Sequence, residues 1–345
     1  MATSDLGRLL QLDGDVRIDF IESDALRDNP LGDPARRPIA VYLPPGFDPQ
    51  GSKRYPVIYV LHGYGGIVAA LVAARPWETN VMQWADRLIA SHAMPPVILA
   101  IVDGNTRLGG SQYVDSIHNG AYATYTVREV VGHLDAGYPT IANEGGRSVV
   151  GKSTGGFGAM YLSMVYPGVF CAFASHSGDA NFRGAYVPEF ARTQRLLEKH
   201  EFSPVAFVEG FEQKPKHSDD ELHAIMLLGQ AAAYSPSGAA AFAFDLPFDL
   251  RTGEMRDDVF ARWLAYDPAE MCLHKLPELA RLRLRYLDCG RRDEYALDIG
   301  ARMFTGRVRA MSLEVRHEEF DDDHRNIGYR YATSLPALAA VMEAA

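Results

Sequence analysis

A glycine-flanked serine between two different apolar patterns constrains the fold of this chain more than any other feature. The segment Ser148–Gly158 has the sequence S-V-V-G-K-S-T-G-G-F-G. A short β-prone run leads into Gly151, and apolar residues recur at helical spacing after Gly155 until Pro167 ends the pattern. Side chains at the two flanking glycines would crowd a sharp turn. The pattern therefore predicts a strand, a tight turn that carries Ser153, and a helix.

This strand–turn–helix is typical of the nucleophile elbow of serine hydrolases. The turn aims the Ser153 hydroxyl out of the sheet, and the helix that follows directs its N-terminus toward developing negative charge. The alternative interpretation is an ordinary glycine-rich turn, because a G-x-S-x-G match alone is a weak signal. A catalytic role for Ser153 therefore depends on finding partner residues elsewhere in the chain.

Two later loops supply candidate partners. A serine hydroxyl needs a base to take its proton, and an acid to orient that base. In this architecture the acid and then the histidine follow the serine along the chain. Asp293 lies in a loop after a predicted strand that ends near Asp288, and His324 lies in the loop after the last predicted strand. We predict Ser153 as nucleophile, His324 as base and Asp293 as orienting acid, in preference to Asp288 or Asp298.

Backbone N–H groups are the expected donors to the oxyanion of the reaction. One should come from Thr154, directly after the serine. The other should come from the loop after the predicted strand Val57–Leu61, which has the sequence H-G-Y-G-G. We assign Tyr64 as the second donor. Gly63 is the alternative donor and a predicted substrate contact, since a glycine lets the backbone approach a carbonyl closely.

The order of apolar runs and helical patterns predicts the fold class. Strands that alternate with helices imply an α/β protein, with a mostly parallel central sheet and helices on both faces. The first two strands follow each other without a helix, so the sheet should begin with an antiparallel pair. The predicted strands are Val16–Ile21, Ile39–Leu43, Val57–Leu61, Val97–Val102, Ser148–Val150, Ala172–Ser175, Leu282–Leu287 and Leu313–Phe320. The predicted helices are Trp77–Ser91, Tyr122–Leu134, Thr154–Tyr166 and Tyr329–Glu343.

One long segment interrupts the alternation of strands and helices. Residues 180–271 contain charged helical patterns where a simple α/β unit needs a far shorter connection. We interpret the chain as a single domain, residues 1–345, with residues 180–271 inserted as a cap over the carboxyl edge of the sheet. Phe248 and Trp263 are the predicted pocket walls in this cap. The alternative is that these aromatic residues form the cap's own core.

Composition excludes several classes of partner. The net charge of −10 and the lack of a basic stripe argue against nucleic acid. The sequence contains no run of eighteen apolar residues, so it predicts no membrane-spanning helix. Three cysteines cannot form a disulfide framework, and the first residues lack an apolar signal segment, so we expect a reduced, cytoplasmic protein. The acidic run Asp321–Asp323 lacks clustered histidines, so we expect no metal and no cofactor. The oligomeric state stays open, a homo-oligomer included.

With these residues identified, the chain resembles the putative-esterase family of α/β-hydrolases, a group that includes esterase D, feruloyl esterases, enterochelin esterase and mycolyltransferases. The elbow is similar to the family's G-x-S-M-G-G, with Thr154 in the place of the usual methionine, which leaves the backbone donor intact. The resemblance rests on the segments Arg36–Pro45, Tyr55–Gly66, Gly151–Met160, Ser175–Asp179 and Asp288–Tyr295, and on the loop that carries Asp323 and His324.

The resemblance implies acyl transfer from esters or thioesters without a cofactor. We therefore predict a serine carboxylesterase that hydrolyses small acyl or aryl esters through an acyl-serine intermediate. An acyltransferase with the same triad is one alternative. A thioesterase similar to S-formylglutathione hydrolase is another, although that branch usually carries a cysteine-containing loop where this chain has H-G-Y-G-G. A non-catalytic scaffold on the same fold is the third.

Overall fold

The computed structural model describes residues 4–238 and 240–343, and within them an eight-stranded sheet runs through the molecule. Its strands, in chain order, are β1 (Asp15–Glu22), β2 (Arg36–Leu43), β3 (Val57–Leu61), β4 (Ile98–Val102), β5 (Arg147–Lys152), β6 (Ala172–His176), β7 (Leu284–Gly290) and β8 (Arg316–Phe320). A separate two-stranded ribbon pairs Asp115–Ser116 with Gly120–Ala121.

The strands lie in the order β1-β2-β4-β3-β5-β6-β7-β8. β1 pairs with β2 and β2 with β4 in antiparallel fashion, whereas every later pair is parallel. The predicted antiparallel start and the mostly parallel remainder are both present. Because parallel strands need crossover connections, helices cover the two faces of the sheet.

Alternate residues of each central strand enter two separate cores. In β3 all five residues are buried. Val57, Tyr59 and Leu61 belong to one core, and Ile58 and Val60 belong to the other. A strand that is apolar on both sides is therefore a strand between two helical layers.

The helices fall into two layers. The layer on one face contains the first helix, the helix Val81–Ala90 and the last helix, and the helix after the serine lies on the other face with most of the rest. The α-helices are Asp5–Leu9, Val68–Leu71, Val81–Ala90, Tyr122–Thr124, Val131–Gly137, Thr154–Val165, Phe182–Ala185, Val187–Glu198, Pro204–Glu212, Asp219–Tyr234, Asp257–Leu264, Pro268–Met271, Leu276–Arg281, Leu297–Ala310 and Tyr331–Ala339. Tyr125–Val130 is a π-helix, and Glu144–Gly146, Cys272–His274 and Ile327–Arg330 are 3₁₀-helices.

Two predicted helix starts are shifted, each for a local reason. The helix predicted from Trp77 begins at Val81, because Trp77 is fully exposed with a φ of 62° and Asn80 caps the helix with a capping box. The helix predicted over Tyr329–Glu343 is preceded by a 3₁₀ turn and begins at Tyr331.

Residues 180–271 add six helices and no strand to the main sheet, within the described part of that segment. Asp267 ties the two ends of the segment together. Its carboxylate accepts the backbone N–H groups of Asn181 at 2.9 Å, Phe182 at 2.7 Å and Ala269 at 2.9 Å. The segment therefore leaves the sheet and returns to it at one point.

Candidate active site

The turn between β5 and the helix Thr154–Val165 holds Ser153 in a strained backbone conformation. Its φ of 57° and ψ of −127° lie in a region that residues other than glycine rarely adopt. Neighbouring backbone leaves no room for side chains at the flanking glycines. A Cβ on Gly151 would lie 2.3 Å from the carbonyl carbon of Gly155, and a Cβ on Gly155 would lie 2.1 Å from the carbonyl oxygen of Leu61. The two glycines of the motif therefore permit the turn.

The structure brings Ser153, His324 and Asp293 together from three separate loops. His324 Nε2 lies 3.0 Å from Ser153 Oγ, and His324 Nδ1 lies 2.8 Å from Asp293 Oδ2. The side chain of Asp293 is fully buried. In this geometry the imidazole can accept the serine proton while the carboxylate holds the opposite ring nitrogen.

Hydrogen bonds keep Asp293 ionised in spite of its burial. Burial alone would raise the pKa of Asp293, but the hydrogen bond and the charge of His324 bring that pKa below its ordinary value. The backbone N–H groups of Tyr295 and Leu297 donate to Asp293 Oδ1 at 3.0 and 3.4 Å. A carboxylate that accepts several N–H groups favours its charged form.

The His324 loop is held by the loop that carries the acid. The backbone N–H of His324 donates to Glu294 Oε2 at 2.9 Å. The ring of Tyr295 meets the imidazole edge-on, with ring centroids 4.9 Å apart. The imidazole therefore has its position set on two sides before any substrate enters.

Asp288, the alternative acid, serves a different histidine. Its Oδ1 lies 2.6 Å from His176 Nδ1, and His176 Nε2 lies 2.8 Å from Ser334 Oγ. Arg330 Nε donates to the same carboxylate at 2.8 Å. These groups are buried beneath the elbow, and the other candidate, Asp298, forms an ion pair with Arg302 on the helix Leu297–Ala310.

The loop after β3 lies against the elbow as the sequence predicts. A Cβ on Gly63 would lie 3.2 Å from the Lys152 carbonyl oxygen and 3.3 Å from Ser153 Cβ, so this position tolerates little beyond glycine. The Tyr64 hydroxyl donates to the carbonyl of Leu108, which anchors the loop. Thr154 is the first residue of its helix, where backbone N–H groups have no acceptor within the helix. Thr154 thus follows the serine directly, and Tyr64 lines the same space as the serine.

His62 orders this loop. Its Nε2 accepts the backbone N–H of Gly104 at 2.8 Å, and its Nδ1 lies 2.9 Å from the carbonyl oxygen of Gly63. Both ring nitrogens therefore lie against backbone groups, which holds the loop in place.

A cavity of about 220 Å³ opens onto the serine and the histidine. One wall belongs to residues 180–271, which contribute Ala185, Tyr186 and Met226. The remaining lining residues are Gly63, Tyr64, Lys152, Ser153, Asp179, Tyr295, Leu297, His324 and Arg325. We call this space the serine cavity.

A second cavity of about 390 Å³ lies beside the loop after β3, which also lines the serine cavity. Gly63, Tyr64 and Lys152 line both cavities. The second cavity continues over Arg75 and the start of the helix Val81–Ala90 to the residues after His324. The elbow therefore lies at the junction of two spaces, which can separate the two halves of an ester.

Asp179 is a site residue that the sequence argument used only as part of the motif Ser175–Asp179. It lines the serine cavity, and Tyr186 donates its hydroxyl to Asp179 Oδ2 at 2.8 Å. Burial raises the pKa of Asp179 to about 6, and the nearby Tyr186 and Thr154 hydroxyls offset only part of that effect. Its place at the carboxyl end of β6, one strand from the serine, is the signal that could have identified it.

Phe248 and Trp263 require a correction, because neither ring reaches either of these cavities. Trp263 has no exposed surface, and Phe248 is 2% exposed. Trp263 donates its indole N–H to Ser235 Oγ at 2.8 Å and packs against Tyr186, and Phe248 packs against Phe190. Both aromatic residues belong to the core of the inserted segment, while its Ala185, Tyr186 and Met226 line the serine cavity.

Each carboxylate of the acidic run after β8 has a partner in the structure. Asp321 pairs with Arg292, Asp322 accepts the Tyr329 hydroxyl at 2.9 Å, and Asp323 accepts the backbone N–H of Arg325 at 2.7 Å. Among residues 4–238 and 240–343, no group of three histidine, cysteine or acidic side chains is arranged to hold a metal ion. Across the same residues, no helix has both the length and the apolar character needed to cross a membrane.

Comparison with known proteins places this geometry in a family. The family described as putative esterase matches residues 34–329 of this chain. Esterase Rv1288 of Mycobacterium tuberculosis is 30% identical over 146 residues, which are 42% of this chain and 30% of that protein. The chain thus spans only about a third of the length of this relative.

Two solved structures share the fold. A ferulic acid esterase superimposes with a TM-score of 0.60 at 18% identity, covering 96% of this chain and all of the other. An S-formylglutathione hydrolase from Agrobacterium tumefaciens superimposes with a TM-score of 0.59 at 15% identity, covering 96% of this chain and 97% of the other. These likenesses confirm the α/β-hydrolase fold. Because the family match extends over residues 34–329, the chain belongs to the putative esterase family.

Proposed function

We propose that this protein is a serine carboxylesterase that hydrolyses small acyl or aryl esters through an acyl-serine intermediate. The observation that carries the proposal is the hydrogen-bonded series Ser153–His324–Asp293, which opens onto a cavity of about 220 Å³. The strained turn at Ser153 and the start of a helix directly after it, where backbone N–H groups lack acceptors within the helix, support the same chemistry.

The acylation step follows from the distances. His324 Nε2, at 3.0 Å, takes the proton as Ser153 Oγ attacks the ester carbonyl. The imidazolium that forms is held by the ionised Asp293 at 2.8 Å. The backbone N–H groups of Thr154 and Tyr64 stabilise the oxyanion, which is worth about 3–4 kcal/mol for each donor in enzymes of this kind.

Release of the two products reverses these roles. His324 gives its proton to the alcohol oxygen, the C–O bond breaks, and the acyl group stays on Ser153. Water then attacks the acyl carbonyl while His324 accepts its proton. The bond between Ser153 Oγ and the acyl carbon breaks as His324 returns that proton to Ser153 Oγ, and the carboxylic acid leaves. The two cavities that meet at Lys152 give the acyl and alcohol portions separate places.

Labelling and kinetics test this proposal. We expect a fluorophosphonate probe to modify the wild type on Ser153, as located by mass spectrometry, and to leave Ser153→Ala unmodified. A panel of 4-nitrophenyl esters from acetate to decanoate, with aryl esters added, should then show turnover by the wild type. An adduct on another serine would contradict the assignment of Ser153.

The same panel separates the alternative reactions. An acyltransferase would divert the acyl group to added alcohols in preference to water. A thioesterase would show a higher kcat/KM for acyl thioesters than for matched oxygen esters. A scaffold would neither be labelled nor turn over any ester.

A further inference from the structure

Lys152 is a cation beside the nucleophile that the reaction above does not use. It is the last residue of β5, directly precedes Ser153, and is partly buried. It lines both the serine cavity and the second cavity. Any substrate that lies across the elbow therefore passes its side chain.

Within the described residues, the ammonium group of Lys152 has neither a hydrogen bond nor an ion pair. Three carboxylates raise the pKa of Lys152 through their negative charges: Asp293, Glu294 and Asp323. Each of these is committed elsewhere: Asp293 to His324, Glu294 to the His324 N–H, and Asp323 to the Arg325 N–H. Their charges do not remove the cost of burying the ammonium.

A second cation lies close enough to act on the first. Arg325 lines the serine cavity, and its charge opposes protonation of Lys152. Burial is the largest cause that lowers the pKa of Lys152, and Arg325 adds to it. Arg325 is well exposed and faces Glu294 at 3.4 Å, so it remains accessible from the cavity. The carboxyl of Asp179 also lines the serine cavity, but it accepts the Tyr186 hydroxyl at 2.8 Å. The two cations around this cavity therefore favour an anion there, in a chain whose net charge is −10.

We propose that Lys152, supported by Arg325, binds an anionic substituent of the substrate, so that the preferred esters carry a carboxylate, phosphate or sulfate near the scissile bond. This inference rests on the proposed esterase function and names its substrate class. The lysine stem spans roughly 6 Å when extended, and neighbouring Cα atoms are about 3.8 Å apart. The ammonium of Lys152 therefore lies within roughly 10 Å of Ser153 Cα, which is close enough to reach a substituent of an ester bound at the serine.

Matched pairs of esters place the anion on either half of the substrate. The acyl pair is 4-nitrophenyl hydrogen adipate and its methyl ester. The alcohol pair is 4-acetoxybenzoate and its methyl ester. In each pair the members differ in charge and in one methyl group. The ratio of kcat/KM for the charged and neutral members, divided by the ratio of their uncatalysed hydrolysis rates, therefore reports anion binding. We expect the wild-type ratio to exceed one in at least one pair and to fall as salt is added.

Lys152→Met should lower that ratio by about 10- to 100-fold, the range for a charge-assisted contact. Lys152→Arg should keep the ratio above one, because the charge is retained. Lys216→Met is the matched control: Lys216 is exposed on the surface and lines neither cavity. A purely electrostatic effect of Lys152 on Ser153 would lower both members of a pair equally and leave the ratio unchanged.

Two sets of results separate this inference from the proposed function. Turnover of the neutral esters with no preference for a charged member in either pair, or a Lys152→Met ratio equal to that of wild type, overturns anion binding and leaves the esterase standing. No turnover of any of the four esters, together with no phosphonate adduct on Ser153, overturns both.

Discussion

Among the residues that the structure describes, two serine–histidine–aspartate arrays form hydrogen-bonded series, and one of them opens onto the serine cavity. Both contain a hydroxyl, an imidazole and a carboxylate in hydrogen-bonding series: Ser153, His324 and Asp293 in the open array, and Ser334, His176 and Asp288 in the sealed array. The distances in the sealed array, 2.8 and 2.6 Å, are shorter than the 3.0 and 2.8 Å of the open one. Hydrogen-bond geometry alone therefore does not distinguish a reactive serine from a structural one.

Access and backbone separate the two arrays. Ser153 sits on a strained turn beside a cavity, whereas Ser334 has no exposed surface and lies inside the helix Tyr331–Ala339. Backbone N–H groups inside a helix are already bonded to carbonyls, so none is available for an oxyanion. Arg330 also neutralises Asp288, the acid of the sealed array. A serine becomes a candidate nucleophile when strain, access and free N–H groups coincide.

The sealed array nevertheless supports the open one. The backbone N–H of Ser153 donates to the carbonyl of His176 at 2.9 Å. The backbone N–H of Ser177 donates to the carbonyl of Asp288 at 2.7 Å. The residues of the sealed array therefore stabilise β6 and β7, and the end of β6 is hydrogen-bonded to the elbow.

The largest expected difference is between the two serines. Ser153→Ala should lower kcat by about 10⁴-fold or more, because the nucleophile is lost. Ser334→Ala removes one buried hydrogen bond, so it should cost about 1 kcal/mol of unfolding free energy and change kcat by less than about threefold. Steady-state kinetics and thermal unfolding of both variants check this. A comparable loss of kcat in a folded Ser334→Ala variant would erase the distinction between the arrays.

The two aspartates should separate almost as clearly. Asp293→Asn should lower kcat by about 10³- to 10⁴-fold with little change in Tm, since its role is to orient and stabilise His324. Asp288→Asn should instead destabilise the fold by about 3–5 kcal/mol, because Arg330 loses its buried partner. Denaturant unfolding and kcat, measured on the same samples, provide the readouts. The assignment of the acid fails if Asp288→Asn is inactive while fully folded and Asp293→Asn is active.

Trp263 and Met226 extend the comparison to the inserted segment. Trp263→Ala should cost about 3–5 kcal/mol of unfolding free energy, because it empties a buried site. It should leave the kcat/KM ratio between short and bulky esters within about twofold. Met226→Ala, on the wall of the serine cavity, should shift that ratio at a smaller cost in stability. A shifted kcat/KM ratio in Trp263→Ala, with an unchanged ratio in Met226→Ala, would indicate that Trp263 contacts the substrate.

Substitution of Asp179 should have the smallest effect of the four comparisons, a change in unfolding free energy that depends on pH. Its pKa of about 6 exceeds the ordinary value of 3.8, so the folded state binds its proton more tightly than the unfolded state does. Its contribution to stability is therefore present below about pH 4 and is lost as the pH rises through 6. Relative to wild type, Asp179→Asn should gain up to about 3 kcal/mol of unfolding free energy between pH 4 and pH 7. Urea unfolding at both pH values tests this, and a difference that does not vary with pH would contradict the buried acid.

The elements of the sheet could be predicted because their information is local. The run Val57–Leu61 is apolar at every position and bounded by turn residues, and its predicted limits match the strand. The last strand begins at Arg316 rather than at Leu313, since pairing with β7 and not local propensity decides where it starts. The order of serine, acid and histidine was likewise readable, because each follows a predicted strand.

The pocket could not be predicted, because it depends on which side of a helix faces the serine. Phe248 and Trp263 are buried in the core of residues 180–271, and Met226 and Tyr186 line the serine cavity. Lys152 and Asp179 carry no sequence pattern of their own. Their environment is defined by the loop after β3 and by residues 180–271, which only the assembled fold brings near.

Ser153 and His324 are 171 positions apart in the chain. Ester hydrolysis therefore requires that nearly the whole chain has folded. A nascent chain that has exposed β5 and its elbow contains the nucleophile but not yet the base. Joining the two requires closure of a loop that includes the whole inserted segment, and such long-range closure comes late and slowly in folding. Recovery of ester turnover during refolding should therefore lag behind recovery of helical structure, so that an intermediate with formed helices is enzymatically silent.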